Sequence, residues 1–270
     1  MAIPTDISPR DIAASFRASG LDNADNEARW LCQFAAQRRL SAAEVSKLVA
    51  RRCQGEPFQY VLGNTDFFGL EIAVGPGVLI PRPETEELVE HCLNELYPGH
   101  GDILDLCTGS GAIACALAAN LPQSKVLGTD ISPRALAWAR QNQQQLHLNN
   151  LSLLQSDLFA AIPRERRFSL VTANPPYVSP AEYDELPEVI RLHEPDLALL
   201  ADENGCQFHR LIAEQATDYL LPDGNLIMEI GCTQGQEVRQ LLLDQHYRNV
   251  RILPDLAGRD RFAVGTRPSL

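Results

Sequence analysis

Two short segments of this 270-residue chain carry residue types at spacings that can do chemistry. The sharper one is Asn174-Pro175-Pro176-Tyr177. Neither proline has an N–H and each fixes its φ, so the turn offers carbonyl acceptors on a stiff backbone and few donors. The Asn174 side-chain oxygen adds another acceptor, and Tyr177 adds a flat face. The natural complement is an NH₂ group on a planar system, whose two hydrogens meet two acceptors and whose plane stacks on the ring. Such a nitrogen is a poor nucleophile because its lone pair is delocalised. Two acceptors pulling on its hydrogens aim the lone pair at a methyl donor and stabilise the positive charge that develops. No strong general base is needed, since the proton can leave after transfer. Asn174, Pro175, Pro176 and Tyr177 are therefore the candidate catalytic and substrate-binding residues.

The second segment is Asp105-Leu106-Cys107-Thr108-Gly109-Ser110-Gly111, at the end of an apolar run and the start of a helical stretch. Gly109 and Gly111 remove side chains where the chain must turn tightly and a ligand must lie against backbone. The helix start behind them offers free N–H groups. Asp130 follows Gly111 by 19 residues at the end of the next apolar run, where a carboxylate can accept both hydroxyls of a ribose. A nucleoside ligand follows. Gly109-x-Gly111-x-x-Ala114 also satisfies the dinucleotide fingerprint, so a nicotinamide-dependent oxidoreductase fits this segment taken alone, although it leaves the Asn-Pro-Pro-Tyr turn without a task.

These segments need elements to hold them. From Asp102 onward, apolar runs at Ile103–Leu106, Val126–Thr129, Leu151–Leu154, Phe168–Thr172, Leu226–Ile230, Val250–Leu253 and Phe262–Val264 alternate with helical stretches. That alternation predicts an α/β fold with a mostly parallel, doubly wound Rossmann-like sheet and helices on both faces. Both chemical segments then sit at strand C-termini, where such sheets form their ligand crevice.

Upstream, residues 1–58 read as a small helical domain. Ser8-Pro9 is an N-cap followed by proline in the first turn. Trp30, Leu31 and Phe34 read as one face of a second helix. Ser41 and Glu44 form a capping-box pattern ahead of Val45, Leu48 and Val49. With no motif chemistry, this unit is a candidate for partner recognition. Residues 59–82 read as a β-hairpin linker. Its first arm contains Phe67, Phe68, Leu70, Ile72 and Val74, its turn is Gly75-Pro76-Gly77, and its second arm is Val78-Leu79-Ile80. Pro81-Arg82-Pro83 opens a helix of the catalytic domain, residues 83–270. The acid-rich stretch from Val178 to Asn204 reads as a solvated loop.

The net charge of −12 and pI near 4.9 argue against a chain built to track a phosphate backbone. The seven cysteines are scattered, with no Cys-x-x-Cys and no His-x-x-x-His, so no metal site is expected and the thiols read as reduced. No apolar run is long enough for a membrane span or a leader's apolar core, and a cytoplasmic location is expected.

With these residues in hand, the chain resembles the HemK/PrmC family of N5-glutamine methyltransferases acting on peptide chain release factors. The resemblance rests on the helical N-terminal region, the hairpin, Ile80-Pro81-Arg82-Pro83-Glu84-Thr85-Glu86, the glycine loop, Asn174-Pro175-Pro176-Tyr177, Glu194-Pro195 with Ala198-Leu199, and Met228-Glu229-Ile230-Gly231. The tetrapeptide alone is shared with adenine and cytosine amino-methyltransferases, which leaves an adenine N6 nucleic-acid methyltransferase as the alternative. The resemblance implies S-adenosylmethionine as cofactor, with S-adenosylhomocysteine as product. It implies that Cys107, Thr108, Gly109, Ser110 and Gly111 wrap the methionine end and that Asp130 binds the ribose. Asp157 and Leu158 would flank the adenine, Asn174 would touch cofactor and substrate, and the target would be the glutamine of a Gly-Gly-Gln tripeptide. Cys107 stands where the family usually has glycine, so the turn is expected to avoid positive φ there.

Overall fold

The computed structural model describes residues 8–269. The first seven residues of the 1–58 segment therefore lie outside the described residues. Three helices, α1 (Pro9–Ala18), α2 (Ala24–Arg38) and α3 (Ala42–Cys53), enclose a core of their own built on Ile12, Phe16, Ala28, Leu31 and Val45. Both expected caps form. Ser8 and Ser41 each accept the N3 backbone N–H, and Asp11 and Glu44 answer with reciprocal bonds. Trp30 departs from expectation. The buried stripe of α2 runs through Ala24, Ala28, Leu31 and Ala35, which leaves Trp30 49% exposed and tilted against Phe58, and Phe34 half-buried.

A short helix, α4 (Phe58–Leu62), leads into a hairpin of β1 (Asn64–Phe67) and β2 (Leu70–Ala73). Its turn is Phe68-Gly69, and not the expected Gly75-Pro76-Gly77. Both turn residues have positive φ (50° and 74°), the geometry that matches strand twist in a two-residue hairpin. Val78–Ile80 is no strand. Val74 to Arg82 instead forms an irregular strap, with Val74, Val78 and Ile80 buried and the Tyr60 hydroxyl donating to the Val78 carbonyl.

All seven expected strands are present: β3 (Ile103–Leu106), β4 (Val126–Asp130), β5 (Leu151–Gln155), β6 (Phe168–Ala173), β7 (Leu220–Glu229), β8 (Arg248–Pro254) and β9 (Asp260–Thr266). They form one sheet in the order β5-β4-β3-β6-β7-β9-β8, parallel except for β9, which runs antiparallel to both neighbours. Alternate residues feed two cores. Ile103, Leu170 and Ile227 face α5 (Pro83–His91) and α6 (Ala112–Asn120), with α7 (Pro133–Gln145) at their edge. Leu104, Val171 and Met228 share the other core with residues of α10 (Gln207–Tyr219) and α11 (Gly235–Asp244). β3 and β6 are buried along their whole length, the mark of central parallel strands covered on both sides. The chain runs outward from β3 to β5 and returns on the other side of β3 as β6, so the strand order reverses between these two strands, where a crevice opens.

The Val178–Asn204 stretch is largely solvated, as expected, but it is not a loop. It folds into α8 (Pro180–Glu185), capped by a Ser179–Glu182 box, α9 (Glu188–His193) and a 3₁₀ turn over Asp196–Ala198. A parallel bridge between Val178 and Leu200 closes it. Its buried Glu194 accepts the Ile80 N–H at 3.0 Å and pairs with Arg82 at 2.6 Å, which fastens the segment to the strap.

Candidate active site

The pairing of β3 with β6 brings the two chemical segments together. Leu106 lies opposite Ala173, so Cys107 and Asn174 leave adjacent strands at the same level. One cavity is lined by both turns. Cys107, Thr108, Gly109 and Ser110 form its floor, Asp130, Asp157 and Leu158 one flank, and Asn174 and Pro176 another. Gly111, Pro175 and Tyr177, also singled out from sequence, do not line it. Gly111 caps α6 at φ 81°, where an added Cβ would stand 3.1 Å from Ala139. Pro175 is buried, and the Tyr177 hydroxyl turns away to donate to Glu229 at 3.0 Å.

The glycine loop is held from below. Asp105 is fully buried and accepts the Thr108 hydroxyl at 2.5 Å and the Thr172 hydroxyl at 2.7 Å. Burial pushes its carboxyl up to about 7, against the pull of those hydroxyls. Thr108 N–H donates to the Thr129 carbonyl at 2.9 Å, which ties the loop to β4. Contrary to expectation, Cys107 takes positive φ (53°). The left-handed region costs a non-glycine residue about 1 kcal/mol or more, and the fixed positions of Asp105 and Thr108 on either side hold it there. Gly109 (φ 57°) presents bare backbone, for a Cβ there would have only the Cys107 carbonyl nearby, at 4.0 Å.

Asp130 ends β4 and accepts the N–H of Gly109 through one oxygen and that of Ser132 through the other, both at 2.8 Å. Each oxygen keeps lone-pair capacity for a further donor. Burial raises its pKa, opposed by these N–H groups. Beyond β5, Ser156 accepts the Ala161 N–H and donates to the Leu158 carbonyl, which holds Leu158 at φ 44° against the cavity.

Several lining residues escaped the sequence reading. The strap contributes Gly77, Val78, Leu79 and Pro81, the segment after α9 contributes Pro195, Leu197 and Ala198, and α5 contributes Thr85. Thr85 donates to Glu229 at 2.6 Å and accepts from Asn174 Nδ2 at 3.4 Å. Glu229, at the end of β7, is buried, and burial raises its pKa against the Thr85 and Tyr177 hydroxyls. Thr85 and Glu229 both lie in segments that resemble the family, which was the available signal. Gln234 secures the far side of the turn, donating to the Tyr177 carbonyl at 2.8 Å and to Asn204 at 3.1 Å while accepting from Gly231. Gly205 (φ 84°) packs against that Tyr177 carbonyl, leaving no room for a Cβ. Among the described residues, no helix is long and apolar enough to cross a membrane, and no cluster of His, Cys, Asp and Glu is arranged to hold a metal.

The chain is similar in sequence and in fold to proteins named as methyltransferases. The Methyltransferase small domain family matches residues 84–191. A methyltransferase from Pyrococcus furiosus superposes with a TM-score of 0.58 at 19% identity, over 83% of this chain and 100% of its own, a likeness of fold. The chain is 41% identical over 223 residues to the release factor glutamine methyltransferase of Vibrio cholerae, covering 83% of this chain and 78% of that one. With the enzyme of the same name from Koribacter versatilis it shares 40% identity over 238 residues, 86% of this chain and 84% of the relative. Such identity across most of both lengths, on the expected fold, means that the chain belongs to the release factor glutamine methyltransferase family.

Proposed function

We propose that the protein transfers a methyl group from S-adenosylmethionine to the side-chain amide nitrogen, N5, of the glutamine in the Gly-Gly-Gln tripeptide of a class I peptide chain release factor. The observation that carries this reading is the single cavity shared by Thr108, Gly109, Asp130, Asn174 and Pro176. The cavity suits the cofactor. Gly109 leaves backbone open, Asp130 retains acceptor capacity, and Ile113, Ile131, Ala135 and Leu158 supply apolar wall. Cys107 to Gly111 would hold the methionine end, Asp130 the ribose, and Asp157 with Leu158 the adenine. When bound, the cofactor supplies a methyl group on a positively charged sulfur.

The protein's own part is positioning and electrostatics. Asn174 Oδ1 and the Pro175 carbonyl accept the two hydrogens of the target amide and turn its lone pair towards the cavity floor. As the nitrogen becomes tetrahedral and positive, both acceptors bind it more tightly than they bind the planar amide. Tyr177, its hydroxyl held by Glu229, offers its ring to the same group. Residues 1–58 serve substrate recognition, 59–82 link, and 83–270 catalyse, with the strap closing the cofactor cavity. The strong negative charge suits a protein partner and no nucleic acid, and the free thiols among the described residues suit the cytoplasm.

The test is methylation with labelled S-adenosylmethionine of a purified release factor and of its variant lacking the Gly-Gly-Gln glutamine, with the modified residue located by mass spectrometry. Label on the intact factor alone supports the reading. Equal labelling of both, or transfer to RNA instead, overturns it.

A further inference from the structure

An asparagine side chain can serve as acceptor or donor according to which end faces the substrate, and the two ends have almost the same shape. The transfer described above works only when Oδ1 faces the target amide. Two groups behind Asn174, Thr85 and Glu229, decide this. Glu229 is buried where β7 ends, and its two oxygens accept from Thr85 Oγ1 at 2.6 Å and from the Tyr177 hydroxyl at 3.0 Å. Thr85 has one hydroxyl proton, and the short bond to Glu229 uses it. Towards Asn174, 3.4 Å away, the Thr85 oxygen can then only accept, so it selects Nδ2. That distance is long for a hydrogen bond, enough to orient the amide without locking it.

We infer that Thr85 and Glu229 are positioning residues that impose the orientation of the Asn174 amide, the carboxylate taking the Thr85 proton so that Nδ2 points back and Oδ1 is left for the substrate. The inference rests on the functional reading above and extends it to two residues that supply no group to the reaction. The same carboxylate fixes Tyr177, so one buried acid sets both side chains of the turn. Arg261 makes no hydrogen bond to it: its guanidinium donates to the Ile230 carbonyl and pairs with Asp255, while its positive charge favours the ionised form of Glu229.

Thr85→Val keeps the shape and removes the relay. It should lower kcat about ten- to a hundredfold, the range for losing a hydrogen bond tied to a charged group. KM for the release factor and affinity for S-adenosylhomocysteine, measured by calorimetry, should stay within about threefold, because the orientation matters most at the transition state. Thr85→Ser should recover most of the loss. Combining Thr85→Val with Asn174→Ala should be no slower than Asn174→Ala alone, since Thr85 acts through Asn174. A further readout needs no turnover. In the ligand-free protein, the side-chain amide NMR signals of Asn174 should move in Thr85→Val and stay in place in Thr85→Ser.

Wild-type kcat in Thr85→Val, an equal loss in Thr85→Ser, or a double variant slowed by the product of both single effects would each overturn the inference. If the wild-type enzyme does not methylate the factor, or Asn174→Ala keeps its kcat, the functional reading has failed. The amide signals then decide the orientation alone, and unmoved signals in Thr85→Val refute it. Should Thr85→Val not fold, Glu229→Gln takes its place with the same kinetic and NMR criteria, because a carboxamide can donate to Thr85 and free its proton for the wrong end of Asn174.

Discussion

The Asp105 carboxylate and the Thr108 hydroxyl meet at 2.5 Å beneath the glycine loop, in a position closed to solvent. An acid there is costly when charged, and its pKa rises from an ordinary value of 3.8 to about 7. The folded state therefore holds this proton more strongly than the unfolded chain does. The stability it adds is fully present below the ordinary carboxylate range and is lost as pH rises towards about 7. Asp105→Asn should remove this residue's share of that trend, leaving the shares of Asp130 and Glu229, whose pKa values burial also raises. The melting temperature of the wild type relative to Asp105→Asn should fall between pH 4 and 7, by about 2–4 °C for each kcal/mol involved. Parallel melting curves across that range would show that Asp105 is not the titrating group.

Asp130 carries two backbone N–H bonds and, on our reading, the ribose. Asp130→Ala should weaken S-adenosylmethionine at least about tenfold in titration calorimetry, since a charge-assisted contact contributes roughly 1.5–3 kcal/mol. NAD should bind neither form. Tight NAD binding would return the glycine loop to the oxidoreductase reading.

Asn174→Ala removes one acceptor aimed at developing charge. A fall in kcat of ~10²–10³-fold is expected, with a smaller rise in KM for a Gly-Gly-Gln substrate and a modest loss of cofactor affinity. Tyr177→Phe should be milder, because the ring survives and only the bond to Glu229 is lost. Near-normal kcat in Asn174→Ala would refute the acceptor-turn mechanism.

Glu194 joins the α8–α9 segment to the strap through the Ile80 N–H and the Arg82 guanidinium. Glu194→Ala leaves a backbone donor unpaired in a buried place, at a cost of about 1–3 kcal/mol. Limited proteolysis within residues 178–204 should quicken, and cofactor affinity should drop, because Pro195 and Leu197 share the cavity wall with the strap. Unchanged cleavage and affinity would mean that the segment is held by its other contacts.

The strands and both chemical turns could be read from sequence because each is a local pattern. Apolar runs mark buried strands, paired glycines mark a turn against a ligand, and paired prolines remove donors. What escaped is set by distant partners. Thr85 and Glu229 meet across 144 positions of chain, and nothing local to either announces the other. The strap reads as a strand because Val78, Leu79 and Ile80 are apolar, yet they serve as lining and core for elements elsewhere. Phe68 reads as strand for its bulk, although the chain reverses on it. Trp30 reads as core because it falls on one helix face with Leu31 and Phe34, although the stripe that is buried runs through Ala24, Ala28, Leu31 and Ala35. Cys107 shows the opposite failure, where a general preference against positive φ gives way to the hydrogen bonds that flank it.

The register of Leu106 against Ala173 has a consequence for how this protein can change. The distance between the methyl donor's floor and the nitrogen's acceptors is measured across one ladder of two adjacent strands. It does not depend on the sixty-odd residues that connect them. An insertion in the surface loops between Asn120 and Val126, or around Glu165, lengthens the path along the chain and leaves that spacing untouched. A single residue added within β3 or β6 slides one turn past the other by a strand step of about 3.3 Å and turns its side chains to the opposite face. Variation in length should therefore be tolerated in the crossovers and silenced in these two strands, whose joint frame acts as the gauge of the reaction.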